Sequence, residues 1–288
     1  MKDYVILTDS CCDLPASLAA ELELEVLPLS FMMEGKEYFN YLDNRDIAPD
    51  EFYSRLRGGA LGTTSAINVA VFTETMTELV GQGKDVLCIA FSSALSTTYQ
   101  SACIAAGEVE AAHPGSKILV CDSRAASLGQ GLLVYLAVQE KRKGKSIGEV
   151  RDFVEEHKGH IGHWFTVDDL NHLKRGGRVS AAAALLGTML QMKPVLHVDD
   201  GGHLIPVNKV RGRKASISAL LYKMEELVDD PSVVFISHGG CEDEAKGLAE
   251  SIQAKFKVDK LVINYVGPVI GNHSGPGTLA LFFQGKHK

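Results

Sequence analysis

Through the first half of the chain, short runs of consecutive apolar residues alternate with longer stretches in which apolar positions recur every three or four residues. The short runs predict strands over 5–8, 25–33, 86–91 and 117–121. The longer stretches predict helices over 16–22, 49–56, 69–80, 95–112 and 129–141. Strands that are apolar on both faces, exchanged with amphipathic helices, belong to a mainly parallel sheet covered on both sides. In such sheets ligands bind where strands end and loops begin.

Ser146-Ile147-Gly148-Glu149 has the capping-box spacing and starts a helix running to about His157. Lys158-Gly159-His160-Ile161-Gly162 then breaks the periodicity, which places a domain boundary between 1–158 and 159–288. Beyond it the pattern predicts a small-residue helix over 181–192 and strands over 194–198 and 204–210, joined at the turn Asp199-Asp200-Gly201-Gly202. A helix over 214–228, a strand over 233–237, a helix over 245–256 and a strand over 261–266 follow. The expected fold is α/β: a mainly parallel-sheet N-terminal domain and a smaller α+β C-terminal domain.

With 288 residues, 45% of them hydrophobic, the chain can bury a sizeable core. Its net charge of −7 and scattered basic residues argue against a nucleic-acid partner. No apolar run approaches the roughly 20 residues that span a bilayer, so stable membrane insertion is not expected. The opening Met1-Lys2-Asp3-Tyr4-Val5-Ile6-Leu7 reads as a first strand, not as a signal peptide, so a cytoplasmic location is expected. None of the six cysteines forms a C-x-x-C pair; Cys88 and Cys121 read as small buried hydrophobes, and Cys11-Cys12 as packing at a turn.

Three hydroxyl-rich stretches follow strands or lead helices: Gly62-Thr63-Thr64-Ser65; Ser92-Ser93-Ala94-Leu95-Ser96-Thr97-Thr98; and Asp122-Ser123 with Ser127-Leu128-Gly129. Each hydroxyl alone could simply cap a helix. Three such stretches at the ends of one parallel sheet would converge into a cluster of donors and helix N-termini suited to a carboxylate or phosphate. Positive charge comes from Lys174-Arg175-Gly176-Gly177-Arg178, and a Gly/Pro-rich loop from Gly267 to Gly277 surrounds His273. The spacing His157-x-x-His160-x-x-His163 is interrupted by Gly159 and Gly162, and no metal is expected there. No Walker A motif or G-x-S-x-G elbow occurs. What remains is an anion site without an obvious nucleophile, base, metal or cofactor.

These residues, in this order, resemble the DegV family. The resemblance rests on Thr8-Asp9-Ser10 with Cys12-Asp13-Leu14-Pro15, Thr64-Ser65, Ser92-Ser93-x-Leu95-Ser96-x-Thr98-Tyr99, Asp122-Ser123 to Gly131, Leu173-Lys174-Arg175-Gly176-Gly177-Arg178-Val179-Ser180, Lys193-Pro194, Arg211 with Lys214, and Gly271-x-His273-x-Gly275-Pro276-Gly277. The chain departs from the family pattern at Ala66-Ile67-Asn68 and at Thr97. The resemblance implies a long-chain fatty acid held between the two domains. It implies a non-catalytic carrier whose partner is a separate, ATP-dependent fatty acid kinase catalytic subunit. By motif position it implies carboxylate binding by Thr64, Ser65 and Ser93, with Arg178, His273 and Arg211 at the head group or the kinase-facing surface.

Burying about 15 methylenes at roughly 0.8 kcal/mol each supplies about 12 kcal/mol, comparable to the cost of association. A few hydroxyls then suffice to fix the head. The alternative from another class is a phosphotransferase or hydrolase acting on a small phosphorylated metabolite at the same anion site.

Overall fold

The first strand, β1 (Tyr4–Asp9), divides its side chains between two cores, Tyr4 and Ile6 on one face and Leu7 on the other. A strand covered on both faces has no polar side to show, which is why the run reads as continuously apolar. The computed structural model describes residues 2–179 and 191–288. β1 lies between β2 (Glu25–Leu27) and β6 (Asp85–Ala90), and β7 (Ile118–Asp122) completes a four-stranded parallel sheet in the order β2-β1-β6-β7. Helices α3 (Val69–Gly81) and α4 (Thr98–Ala112) cover one face, setting Phe72, Met76 and Ala102 against Val86, Cys88 and Ala90. Helices α1 (Ala16–Glu21), α5 (Leu128–Arg142) and α6 (Ile147–His157) cover the other, against Leu87 and Ile89. The Ser146–Glu149 capping box forms at the start of α6.

A second sheet has six strands in the order β10-β9-β8-β13-β11-β12. They are β8 (Ile161–Thr166), β9 (Met192–Val198), β10 (Leu204–Arg211), β11 (Val228–His238), β12 (Lys260–Tyr265) and β13 (Leu279–Gly285). Only β11 and β12 run parallel; the other neighbours are antiparallel. Side chains again split by alternation. Phe235, Ala280 and Phe282 face α5, while Val234, Ile236, Leu281 and Phe283 face α8 (Arg213–Leu227) and α9 (Glu242–Gln253). Helix α5 is thus wedged between the two sheets, with Leu128, Leu132, Leu133 and Val134 fully buried. Truncating Leu132 to alanine at such a position costs about 2–5 kcal/mol. The architecture is the α/β plan expected, a parallel-sheet core joined to a mixed sheet.

Several elements differ from expectation. The single strand over 25–33 is two strands in different sheets. Pro28 cannot donate to a ladder, the Leu29 N–H turns to Ser10 Oγ at 3.0 Å, and the chain leaves β2 to enter β3 (Ser30–Met33). β3 lies between β4 (Lys36–Phe39) and β5 (Gly62–Ser65) in a small antiparallel sheet packed on α2 (Pro49–Arg57) through Phe31 and Phe52. The first hydroxyl stretch is therefore a strand and not a loop. The break at Gly159–Gly162 leads directly into β8, where Gly162 is glycine because a Cβ would lie 2.8 Å from the Phe283 ring. The Gly/Pro loop around His273 is largely helix α10 (Pro268–Ser274), with Pro268 in its first turn. A short helix α7 (Asn171–Arg175) precedes Arg178. The helix expected over 181–192 falls outside the described residues except for Gln191 and Met192, and Met192 opens β9.

Candidate functional site

A cavity of about 530 Å³ lies between the C-terminal ends of the parallel strands, helix α10 and the inner face of the six-stranded sheet. Its walls are mostly apolar, with Phe91 and Leu95 from one side and Phe165, Val198, Leu204 and Phe282 from the other. Polar groups enter from the loops and ends: Thr64 and Ser65 from β5, Ser93 and Ser96 after β6, Ser127 at the start of α5, Arg178 after α7, and His273 from α10.

Thr64 and His273 meet, with Thr64 Oγ1 2.8 Å from His273 Nε2. Two missing side chains make that approach possible. A Cβ on Gly62 would lie 2.2 Å from Asn272 Oδ1, and one on Gly176 would lie 2.2 Å from His273 Nδ1. Burial, and then the nearby Arg178 cation, push the His273 pKa down to about 4, so the imidazole is neutral at physiological pH. Arg178 donates from Nε to the Leu95 carbonyl at 3.3 Å and from Nη1 to the Gly176 carbonyl. The guanidinium therefore ties the loop after β6 to the turn after α7 while lining the cavity.

The adjacent serines 92 and 93 diverge. Ser92 is fully buried and donates to the Gly202 carbonyl at 3.0 Å, fastening the β9–β10 turn to the loop after β6. Arg124 Nη1 reaches the Asp200 carbonyl at 3.0 Å, and Lys288 Nζ reaches the Asp199 carbonyl at 3.2 Å, so the same turn is held at three points. Ser93 lines the cavity and gives its hydroxyl hydrogen to Asp122 Oδ2 at 2.5 Å. Asp122 ends β7 opposite Ala90 of β6, which brings it to the first turn after that strand.

Deeper in the wall, Ser127 Oγ lies 2.5 Å from Asp13 Oδ2 and 2.9 Å from Ser237 Oγ. Ser127 holds φ 54°, ψ −146°, a conformation costly for a non-glycine residue. Burial raises the Asp13 pKa to about 7. His163, also in the wall, donates from Nδ1 to the Ile161 carbonyl at 2.7 Å and is held neutral by burial.

Of the residues singled out in the sequence, Thr64, Ser65, Ser93, Arg178 and His273 all line this one cavity, Ser65 at its exposed rim. Arg211 does not line it. It ends β10, exposed, with its guanidinium on Gln191 Oε1 at 3.1 and 3.3 Å. His157 packs on Phe153 at the end of α6, while His163 faces the cavity, so the histidine triplet is divided between two sites. Sequence reasoning missed Ser237, which lies far from the hydroxyl stretches in the chain, and quoted Asp13 only within the opening motif, without a role at the site. Asp122 was named only as part of a stretch, without a partner.

The family model described as "Uncharacterised protein, DegV family COG1307" matches residues 3–286. A DegV domain-containing protein from Clostridium perfringens is 46% identical over 290 residues, covering 100% of this chain and 99% of that protein. Among solved structures, a DegV family protein from Thermus thermophilus described by its fatty acid binding matches with TM-score 0.89 and 32% identity over 99% of this chain and 100% of that one. DegV from Bacillus subtilis, described as a fatty acid binding protein, matches with TM-score 0.85 and 30% identity, again over 99% and 100%. The chain that builds this cavity belongs to the DegV family.

Proposed function

We propose that this protein is a non-catalytic carrier. It binds one long-chain fatty acid in the cavity between an N-terminal domain, residues 1–158, and a C-terminal domain, residues 159–288. It then presents the head group to a separate ATP-dependent fatty acid kinase. The observation that carries this reading is a mostly apolar cavity of about 530 Å³ whose lining also holds the Thr64 and Ser93 hydroxyls, the neutral His273 and the Arg178 cation. An acyl tail fills the apolar part, and the head group meets hydrogen-bonding partners that a buried polar group requires. The fatty acid binding described for the relatives from Thermus thermophilus and Bacillus subtilis supports the same ligand class. A small phosphorylated metabolite would leave the apolar walls unfilled, so the transferase or hydrolase alternative gains nothing from the geometry.

Ser65 joins Thr64 and Ser93 in binding the carboxylate from the exposed edge of the cavity, Arg178 and His273 stand at the head group, and Arg211 on the outer surface is a group for the kinase to meet. Organic extraction and mass spectrometry of the purified protein should recover a long-chain fatty acid at near one equivalent. The loaded protein should yield acyl phosphate only when kinase and ATP are both added. Recovering no acyl lipid, with no binding on add-back, would overturn the carrier reading; binding without any kinase-dependent acyl phosphate would overturn the presentation step alone.

A further inference from the structure

Resting on the carrier reading, a further consequence concerns the proton on the head group. An ionised carboxylate can only accept hydrogen bonds, so in the 2.5 Å contact with Asp122 Oδ2 the single hydroxyl hydrogen of Ser93 is the one shared. The other oxygen, Oδ1, is held by the backbone N–H groups of Ser93 at 3.1 Å and Arg124 at 3.0 Å, so the carboxylate is fixed in this orientation. Towards the cavity Ser93 then offers lone pairs only. A ligand carboxylate placed there would face an acceptor with a second negative charge behind it. A carboxylic acid is the complement. Its O–H donates to Ser93 Oγ, and its carbonyl faces the Thr64 hydroxyl, whose hydrogen is available in the tautomer where His273 Nε2–H donates to Thr64 Oγ1.

We infer that the fatty acid binds together with one proton, held on the line from the ligand oxygen through Ser93 Oγ to Asp122, and that Asp122 is the positioning residue that makes the site select the neutral acid. The balance is simple. A carboxylate and one proton from solvent enter together. When the ligand oxygen is needed as a nucleophile, its proton passes to Ser93 Oγ as the serine's own hydrogen passes to Asp122. That leaves a ligand carboxylate, an intact serine hydroxyl and a carboxylic acid at Asp122, with Arg178 beside the new anion.

The charged and titratable neighbours fix the pH range for a test. His273 is neutral above about 4, and Lys288, whose charge acts on Asp122, stays protonated below about 8. Arg124 and Arg178 also border the site, and Tyr99, which senses Asp122, is pushed up to about 12. Asp13, behind Ser127 in the wall, has its pKa near 7 and so titrates inside the range.

Calorimetric titration of dodecanoate into the full chain, in two buffers of different ionisation enthalpy near pH 7, counts the protons taken up. Close to one per ligand is expected, with affinity falling about tenfold per pH unit above the ligand's own carboxyl pKa, near that of a free carboxyl. 1-Dodecanol, whose hydroxyl both donates and accepts, should bind with neither effect. In Asp122→Asn the two backbone N–H groups keep the amide oxygen at the Oδ1 position, so Nδ2 faces Ser93 Oγ and donates to it. The serine hydrogen turns to the cavity, and the variant should bind dodecanoate without proton uptake and with a flat pH profile. Comparing variant with wild type also removes the contribution of Asp13. If Asp122→Asn does not fold, Ser93→Ala replaces it and should likewise abolish the uptake. Wild-type binding of dodecanoate without proton uptake overturns the inference, as does uptake that neither variant changes. Failure of both probes to bind would overturn the carrier reading itself, and the inference with it.

Discussion

Gly176 and His273 share one space: the imidazole Nδ1 sits where a side chain on residue 176 would begin, 2.2 Å from the position of a Cβ. The glycine is there for its missing atom, since its backbone at φ −69° suits any residue. Gly176→Ala should therefore fold but expel the imidazole from its place beside Thr64. Nuclear magnetic resonance titration would follow it. His273 should titrate near 4 in the wild type and move towards the ordinary histidine value of 6.5 in the variant. An unmoved titration would mean that the ring has room to spare.

Thr64→Val keeps the shape of the β5 side chain and removes its hydroxyl. Losing one hydrogen bond to the carbonyl of a protonated head should weaken fatty acid binding by about 0.5–1.5 kcal/mol, or roughly 2- to 12-fold. Calorimetry on delipidated protein measures it directly. Undiminished affinity would place the head group away from Thr64.

Asp13 predicts a pH dependence of stability. Its folded pKa is raised from 3.8 to about 7 by burial. A raised folded pKa means that its contribution is fully present below 3.8 and is lost as the pH rises through about 7. Between pH 6 and pH 8 that loss amounts to about 1 kcal/mol. Asp13→Asn removes the charge, and asparagine tolerates the left-handed conformation at φ 50°. The variant should lose less stability over this interval in denaturant titrations; an identical slope would show that Asp13 ionises there without penalty.

Gly202→Ala attacks the fastening of the β9–β10 turn. Residue 202 has φ +83°, and a Cβ would lie 2.3 Å from Ser92 Oγ, so the change adds backbone strain and displaces the serine that holds the turn. A destabilisation of about 1–3 kcal/mol is expected. Because Val198 and Leu204 flank the turn and line the cavity, release of a bound fluorescent fatty acid should also accelerate. A lower melting temperature with an unchanged release rate would show that the turn does not control access.

The sequence reveals those parts of the fold in which one residue's surroundings are set by its neighbours in the chain. The strand Asp85–Ala90 is wholly buried, and from Val86 onward it reads as an unbroken apolar run. The capping box at Ser146 and Glu149 is a local bond pattern and forms as written. Thr64, Ser93, Arg178 and His273 were legible as polar groups among turn residues, and all four reach the cavity. What stayed hidden depends on distant partners. Gly162 looks like a breaker until Phe283 is seen to occupy its side-chain space. Gly271 looks like loop until Phe52 and Tyr53 are found packed on it within helix α10. The bond from Ser93 to Asp122 crosses two strands, and no spacing along the chain could announce that the serine's hydrogen is already committed.

The place of β13 in its sheet bears on how the protein is made. Residues 279–285 form the strand that joins β8 to β11, two strands that do not pair with each other. While a ribosome has yet to deliver that segment, β10-β9-β8 and β11-β12 are separate ribbons, each with an open edge where β13 will pair. The parallel sheet, whose strands all precede residue 123, needs nothing from that segment to pair. Phe282 and Ala280 bring part of the cavity wall with them when β13 slots in. The cavity is therefore incomplete until residues 279–285 have been delivered, and its wall closes in the same step that zips the second sheet together.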